Sequence, residues 1–396
     1  MPLDYGIFDC DTHCYETRDA FTRYLPKEYL DRAITPVRNA AGEEILLAGR
    51  RVATFNSEQG MGYDLAYRPG SLKEMLKQMG SGNPDETYEP LPMLPEFIER
   101  APRLRQLESQ GVERCVLFPA GGALAAEHYV SDTDALYANL RSFNRWYDET
   151  WGFNHEDRIY ATALLSLRDL ERSVAVTEEI LAMGAKVVLL PTGPAYGRSP
   201  GDPYFDPIWS RLNEAGVTVA FHIMPFWYFD AISPAWGHTT DPSAWHMSAW
   251  QWMNVYGERP IVETLSALIF DNIFGRYPNL RVLVAEHGAA WVPNTLIHMD
   301  KSRGMGRNGP WIGGRLDERP SRIFKEFVRV APYPEDDIPW IVENLGGDDG
   351  CLVMGSDFPH AEGMAEPADF VKLLDPLDEA TKRRIMRGNA ETLFDR

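Results

Sequence analysis

The sequence YGIFDCDTH, residues 5–13, decides the fold of this chain. It begins as an apolar run and ends in Asp11 and His13, two residue types that bind metal ions in many enzymes. Side chains two positions apart on a β-strand project from the same face, so Asp11 and His13 point the same way. The stretch therefore predicts a buried strand with a metal-binding end. Asp9 lies one layer deeper on that face, where we expect it to support the site.

Eight short apolar runs of this kind alternate with longer helical patterns along the 396 residues. Most are nearly continuous, as expected of parallel strands that are covered on both faces. The alternation predicts an α/β protein with a TIM barrel, the eightfold (β/α)8 fold. The predicted strands are Tyr5–Cys10, Glu113–Phe118, Arg158–Leu164, Lys186–Leu190, Val217–Phe221, Arg281–Ala285, Phe327–Val330, which could also end the helix before it, and Cys351–Gly355.

Helices are predicted where apolar residues recur at three- and four-residue spacing between these strands. The predicted helix Leu167–Met183 has Ser166 as a candidate N-cap and is followed by Gly184, a residue type that commonly ends helices. The predicted helices are Pro95–Gly111, Leu167–Met183, Asp206–Ala215, Val262–Tyr277 and Ala368–Leu374.

A barrel of this type takes about 250 residues, so residues 1–396 can form one elaborated domain. Two segments exceed the minimal barrel, about 14–94 after the first strand and about 224–260 after the fifth. Both leave the carboxyl end of a strand, which is the face where barrel enzymes build their sites. We expect both insertions to cover the active site.

Three more predicted strands end in residues that bind metals or move protons: His222, His287 and Asp357. Taken singly, such residues are ordinary, since a histidine can lie in a core and an aspartate can cap a helix. In a closed barrel, however, these strand ends converge over one mouth. Two imidazoles and two carboxylates suit one divalent ion, zinc first and manganese or iron as alternatives, with a position left for water. Three neighbours in sequence, Glu16, Glu286 and His360, are expected to be supporting partners.

Composition excludes several other functions. The chain carries 58 acidic and 39 basic residues, a formal charge of −19, which opposes binding to nucleic acids and anionic membrane surfaces. Its four cysteines form no CxxC pair, and no run of about 18 apolar residues suggests a membrane span. We expect a cytoplasmic protein whose partner is a small-molecule substrate.

Aromatic residues crowd the segment 225–256, where they could wall a substrate pocket or pack in a core or subunit interface. Trp227 and Trp236 from this segment, together with Trp291, are candidate substrate contacts. The aromatic content favours a homo-oligomer, a dimer or a tetramer.

The sequence resembles the amidohydrolase superfamily, and within it the branch of aminocarboxymuconate-semialdehyde decarboxylase and gamma-resorcylate decarboxylase. The resemblance implies that Asp11, His13, His222 and Asp357 hold one metal ion and that His287, with Asp357, is a general acid/base. No lysine ends the fourth strand, which implies a mononuclear site. Many relatives have His or Glu where this chain has Asp11, a difference that affects which metal binds. The resemblance is carried by Asp11–His13, residues 157–174 and 184–190, His222, His287, residues 355–360 and residues 388–390.

Two reactions fit these residues. The first is hydrolysis of a small apolar or aromatic substrate by a metal-activated water, with Asp357 or His287 moving the proton. The second is non-oxidative decarboxylation of an aromatic or dienoic acid at the same site. An arginine that binds the substrate acid would favour the second, and Arg68, Arg303 and Arg307 are candidates. A non-catalytic ligand-binding barrel is the third interpretation.

Overall fold

Seven parallel strands form the main sheet of the protein, whose computed structural model describes residues 3–54, 63–81, 88–124, 126–224, 226–243 and 246–395. The strands lie side by side in chain order, each paired in parallel with the next. The sheet is curled. They are β1 Ile7–His13, β2 Val112–Phe118, β3 Ile159–Leu164, β4 Val187–Leu189, β5 Thr218–Phe221, β6 Arg281–Val284 and β7 Val328–Val330.

The predicted eighth strand, Cys351–Gly355, does not form a regular ladder. Its backbone divides its hydrogen bonds between the two edges of the sheet: Val330 N donates to Cys351 O (2.7 Å), and Cys10 N donates to Met354 O (2.9 Å). Two residues beyond the end of this segment, Asp357 N donates to Asp11 O (2.7 Å). Only isolated bridges result, but the segment connects β7 to β1 and places Asp357 beside Asp11.

Helices follow the strands of the main sheet and pack against them. Several of them begin or break differently from the sequence prediction, and two of these differences have a clear local cause. Asp169 rather than Ser166 caps the helix Leu170–Ala182, because the Asp169 side chain accepts a hydrogen bond from Arg172 N, whereas Ser166 Oγ donates to Glu127. The predicted helix Val262–Tyr277 is two helices, Arg259–Phe270 and Ile273–Arg276, because Asn272 adopts a left-handed backbone conformation (φ 55°).

The remaining described elements are mostly short. Within residues 14–111 lie a three-stranded antiparallel sheet, Ile34–Arg38, Glu44–Ala48 and Arg51–Val52, and a two-stranded one, Leu65–Ala66 and Leu91–Pro92. The α-helices not yet named are Leu72–Ser81, Pro95–Ile98, Arg100–Ser109, Gly121–Leu124, Ala126–Tyr129, Thr133–Thr150, Asp206–Glu214, Phe226–Ala231, Ala249–Gln251, Val292–Met305, Pro320–Phe327, Ile338–Asn344, Glu379–Arg383 and Asn389–Glu391. The 3₁₀-helices are Lys27–Arg32, Pro203–Phe205, Pro234–Trp236 and Pro367–Leu374, and π-helical turns span Trp252–Tyr256 and Arg384–Gly388.

One continuous apolar core connects the strands with the helices around them. All seven residues of β1 are buried, including the polar residues Asp9, Asp11, Thr12 and His13. Buried polar side chains are costly unless they have partners, so their concentration at the end of one strand indicates a functional site. Among the described helices, none combines the length and the apolar character that crossing a membrane requires.

Candidate metal centre

Four buried side chains converge where β1 and β5 end and the Cys351–Asp357 segment passes them. Asp11 and His13 come from β1, His222 directly follows β5, and Asp357 follows the segment that joins β7 to β1. At most 9% of any of these residues is exposed. The structure thus brings together four residues that are separated by up to 346 positions in sequence.

The donor atoms of these side chains face one another. His13 Nε2 lies 3.1 Å from His222 Nε2, 3.3 Å from Asp357 Oδ1 and 3.5 Å from Asp11 Oδ1. His222 Nε2 lies 3.8 Å from Asp11 Oδ1. An ion about 2.1 Å from each donor separates neighbouring donors by roughly 3.0–3.4 Å, so the observed spacing is close to that of a coordination sphere.

Neighbouring groups hold His13 in the orientation that metal binding needs. Its Nδ1 lies 3.1 Å from the carbonyl oxygen of Pro119, which can only accept, so Nδ1 carries the hydrogen and the lone pair is on Nε2. The buried guanidinium of Arg103 donates to the His13 carbonyl oxygen. The imidazole of His360 stacks on the His13 ring with 4.0 Å between centroids.

Two carboxylates are fixed in a similar way. Asp9 Oδ1 accepts hydrogen bonds from Asp11 N (3.2 Å) and Ser356 N (3.0 Å), so it connects the two segments that carry the carboxylates of the cluster. His360 Nδ1 lies within hydrogen-bond distance (2.8 Å) of Asp357 Oδ1. These contacts are the supporting arrangement expected for Asp9 and His360.

The residues fit a divalent ion on grounds of charge and of unused donors. Burial raises the pKa of Asp11 and of Asp357 well above the ordinary range, and nearby carboxylates raise both further. Burial also lowers the pKa of His222 to about 4, so its imidazole is neutral near pH 7 and can coordinate. Asp11 Oδ1 is buried without a hydrogen-bond partner in the described part of the chain. A cation at the centre would compensate all of these groups.

Beside the cluster opens a cavity of about 360 Å³, the metal-side cavity, lined by Asp11 and Asp357. Its aromatic walls are Tyr67, Trp252, Tyr256 and Tyr333. Glu286, Glu335 and Glu362 add three more acidic groups. No arginine, lysine or histidine is among the described residues that line it.

Sequence reasoning underrated Glu286 and missed Glu362 and Tyr333. Glu286 Oε2 lies 2.9 Å from His222 Nε2, and its carboxylate oxygens lie close to those of Asp357 and Glu362. Burial, followed by the charge of Glu362, raises the pKa of Glu286 to about 8. An acidic residue just after a predicted strand is the signal that could have found Glu286, whereas Glu362 and Tyr333 lie in loops without such a pattern.

His287 is a buried neighbour of His222. It is 3% exposed, and burial together with His222 lowers its pKa to about 3. It does not line the metal-side cavity as described. Because its pKa is low, the imidazole of His287 is neutral near pH 7. Because it does not line the cavity, His287 would have to exchange protons with the substrate through neighbouring groups or after a small rearrangement.

The predicted substrate contacts do not lie at the metal-side cavity. Arg68 pairs with Glu74 (2.6 Å) and lies over the Tyr88 ring, so its charge is already used. Trp291 is buried, and its indole N–H donates to the backbone carbonyls of His287 and Gly288.

The two candidate tryptophans of the 225–256 segment, Trp227 and Trp236, are placed elsewhere as well. Trp236 is 67% exposed and packs on Trp250. Trp227 lines a separate cavity of about 230 Å³ beyond β4 and β5, while Trp252 from the same segment does reach the metal-side cavity. Trp245 lies outside the described residues.

The two other candidate arginines are also elsewhere. Arg303 donates to the Leu316 carbonyl oxygen (2.8 Å), and Arg307 is exposed on the surface. Neither lines the metal-side cavity. The arginine that would discriminate between the two reactions is therefore not found at the cavity within the described residues.

Comparison with known proteins gives a consistent answer. The family model described as Amidohydrolase matches residues 93–396. A solved amidohydrolase from Mycobacterium avium subsp. paratuberculosis K-10 is 32% identical, with 99% of this chain and 100% of that chain covered and a TM-score of 0.84. Two more distant relatives are named as decarboxylases.

The first is the curated 2-amino-3-carboxymuconate-6-semialdehyde decarboxylase of Dictyostelium discoideum, 22% identical over 194 residues, or 49% of each chain. The match thus spans about half of that relative. The second is a solved dihydroxybenzoic acid decarboxylase from Polaromonas sp. JS666, with bound manganese and 2-nitroresorcinol. It is 13% identical, with 99% and 97% of the two chains covered and a TM-score of 0.60, and shows a shared fold.

These matches confirm the resemblance predicted from the sequence, and with it an enzyme of the metal-dependent hydrolase or carboxy-lyase class. The chain belongs to the amidohydrolase family.

Proposed function

We propose that this protein is a metal-dependent carboxy-lyase that removes CO₂ from a small aromatic or dienoic acid without an oxidant. The observation that carries the proposal is the convergence of four donor atoms, with contacts of 3.1 to 3.8 Å, beside an aromatic-walled cavity. The decarboxylases among the similar proteins favour this reaction over hydrolysis.

We propose that the fold is a closed (β/α)8 barrel and that residues 1–396 form one domain, with the segments at about 14–94 and 224–260 inserted above the mouth. The hydrogen bonds that connect β7, the Cys351–Asp357 segment and β1 support the closure. Asp11, His13, His222 and Asp357 would hold one divalent ion, zinc or manganese. When bound, the ion would withdraw electron density from substrate oxygen atoms and orient them.

The cavity walls fit a flat, ring-sized molecule. The faces of Trp252, Tyr256 and Tyr333 can stack on an unsaturated substrate and exclude water from it. A volume of about 360 Å³ lies in the range of small-ligand pockets. The three aromatic side chains would hold the substrate so that the bond to its carboxyl group lies near the four donor residues.

The reaction needs one proton at the carbon that loses CO₂. The bond between that carbon and the carboxylate breaks, its electron pair stays on the carbon, and a proton forms the new C–H bond. Asp357 lines the cavity, so its carboxyl can reach the substrate and carry this proton. His287, the buried neighbour of His222, would be the group that takes or returns it.

Hydrolysis of a neutral amide or ester is the second candidate, and one observation favours it. The cavity contains the carboxyl groups of Asp11, Glu286, Glu335, Asp357 and Glu362 and no arginine or lysine among its described lining residues. An anionic substrate therefore meets no cationic side chain there, whereas a neutral one needs none.

A substrate screen distinguishes the reactions. Purified protein is loaded with zinc or manganese and offered hydroxylated aromatic acids in one arm and aryl amides and esters in the other. We expect CO₂ release from an acid, lost with a chelator and restored by the metal. Release of acid from an amide or ester without CO₂ would establish hydrolysis instead. A protein that neither binds nor needs a divalent ion would leave a non-catalytic ligand-binding barrel.

A further inference from the structure

We infer that Glu286 is a fifth protein ligand of the metal centre, an inference that rests on the proposed metal-dependent function. Its Oε2 lies 2.9 Å from His222 Nε2. That nitrogen is the one that faces the other donors, 3.1 Å from His13 Nε2 and 3.8 Å from Asp11 Oδ1. The Glu286 carboxylate therefore borders the centre from the side of the cavity, where donor oxygens of Glu286, Asp357 and Glu362 lie within 4.8 Å of one another.

A merely orienting role for Glu286 predicts a different contact. Carboxylates that orient a metal-binding histidine accept a hydrogen bond from the ring nitrogen that does not bind the metal. In His222 that nitrogen is Nδ1, whereas Glu286 contacts Nε2. The contact is the one expected between two ligands of one ion.

The backbone explains how Glu286 reaches the centre. On a regular strand Glu286 and His287 would project from opposite faces. Glu286 instead adopts a left-handed conformation (φ 53°), as Asp357 does (φ 55°), two residues after the end of β6. Such a conformation is strained in a non-glycine residue and persists where surrounding contacts hold it. Here Tyr333 Oη donates to the Glu286 carbonyl oxygen (2.8 Å).

A fifth ligand changes the chemistry of the site. Two imidazoles and three carboxylates make a harder, more oxygen-rich donor set than two of each, which favours manganese relative to zinc. The negative charge of Glu286 would also offset part of the positive charge of the ion, which would otherwise attract an anionic substrate. We expect the third carboxylate to contribute more to manganese affinity than to zinc affinity.

The test measures metal affinity rather than activity. The protein is stripped of metal, and manganese binding is followed by the electron paramagnetic resonance signal of the free ion in wild type, Glu286→Gln, Glu335→Gln and His222→Ala. Loss of a supporting partner of a ligand costs about 10- to 100-fold, so loss of Glu286 as a ligand is expected to weaken manganese binding by roughly 100-fold or more. Zinc affinity should fall less. Glu335→Gln is the matched control, since Glu335 lines the same cavity but belongs to no group of residues with metal-ligand spacing.

Cobalt(II) loading supplies the second readout. If Glu286 is a ligand, Glu286→Gln lowers the coordination number and strengthens the visible absorption bands, and Glu335→Gln leaves them unchanged. Should Glu286→Gln misfold, Glu286→Asp replaces it and is expected to give an intermediate loss of affinity.

The outcomes separate the two proposals. Manganese binding by Glu286→Gln within about threefold of wild type, with His222→Ala defective, would overturn the fifth ligand and leave the metal centre standing. Undiminished binding by His222→Ala would overturn the metal centre itself.

Discussion

Glu16 offers a direct test of how the fold handles a buried acid near the site. It lies three residues beyond His13, is 7% exposed, and its Oε1 accepts a hydrogen bond from Ala123 N (3.2 Å). Burial raises the pKa of Glu16 from 4.5 to about 7, and the hydrogen bonds that it accepts only partly oppose this. Replacing it by glutamine keeps the shape and the accepting oxygen but removes the titration.

Whether stability rises or falls with pH follows from which state of the chain holds the proton. Below pH 4.5 both the folded and the unfolded chain hold it, so Glu16 contributes its full stability there. Between pH 4.5 and 7 the unfolded chain releases the proton while the folded chain keeps it, and stability falls. The difference of about 2.5 pH units, at 1.36 kcal/mol each, corresponds to about 3 kcal/mol as an upper value.

We therefore expect Glu16→Gln to match wild type near pH 4 and to be about 2–3 kcal/mol more stable at pH 8. Urea unfolding in the presence of a chelator measures this, since a bound cation would lower the pKa of nearby carboxyls. Glu214→Gln, a change at an exposed helical position, is the control and should show no difference between the two pH values. An equal effect of Glu16→Gln at both pH values would refute the reasoning.

Three further predictions concern the centre and one helix. His222→Ala and Asp357→Ala should each lower bound metal sharply by mass spectrometry, because each removes a donor; full occupancy in both would contradict the assignment. His287→Ala should abolish turnover with metal content retained, and an unchanged rate would remove it from the mechanism. Asp169→Ala should destabilise the protein by about 1 kcal/mol in urea unfolding, because the Arg172 N–H loses its cap; an unchanged midpoint would show that water replaces the cap.

The strands could be predicted well because a parallel barrel strand is a local signal. β1, β2 and β3 begin and end within a few residues of the predicted bounds, since each is an apolar run that turn residues terminate. The last segment was harder to predict. Cys351–Gly355 bonds to β7 and β1 in turn, and such divided pairing depends on two distant partners.

Helix boundaries show the same limit. Ser166 and Asp169 are both acceptable N-caps, and tertiary contacts decide between them, because Ser166 Oγ is engaged by Glu127. The break at Asn272 is likewise a backbone choice that the periodic pattern does not reveal.

The sequence by itself determined the order of the strands, the class of the fold and the residue types at the strand ends, because these depend on local periodicity. It placed Asp11, His13, His222 and Asp357 at converging positions, and the structure brings a donor atom of each within 3.1 to 3.8 Å of at least one of the others. Only the tertiary structure decided which other side chains enter the centre and the cavity beside it. Glu286 is there and Trp236 is not, because left-handed backbone turns and long-range loop packing set those positions, and neither leaves a periodic trace in the sequence.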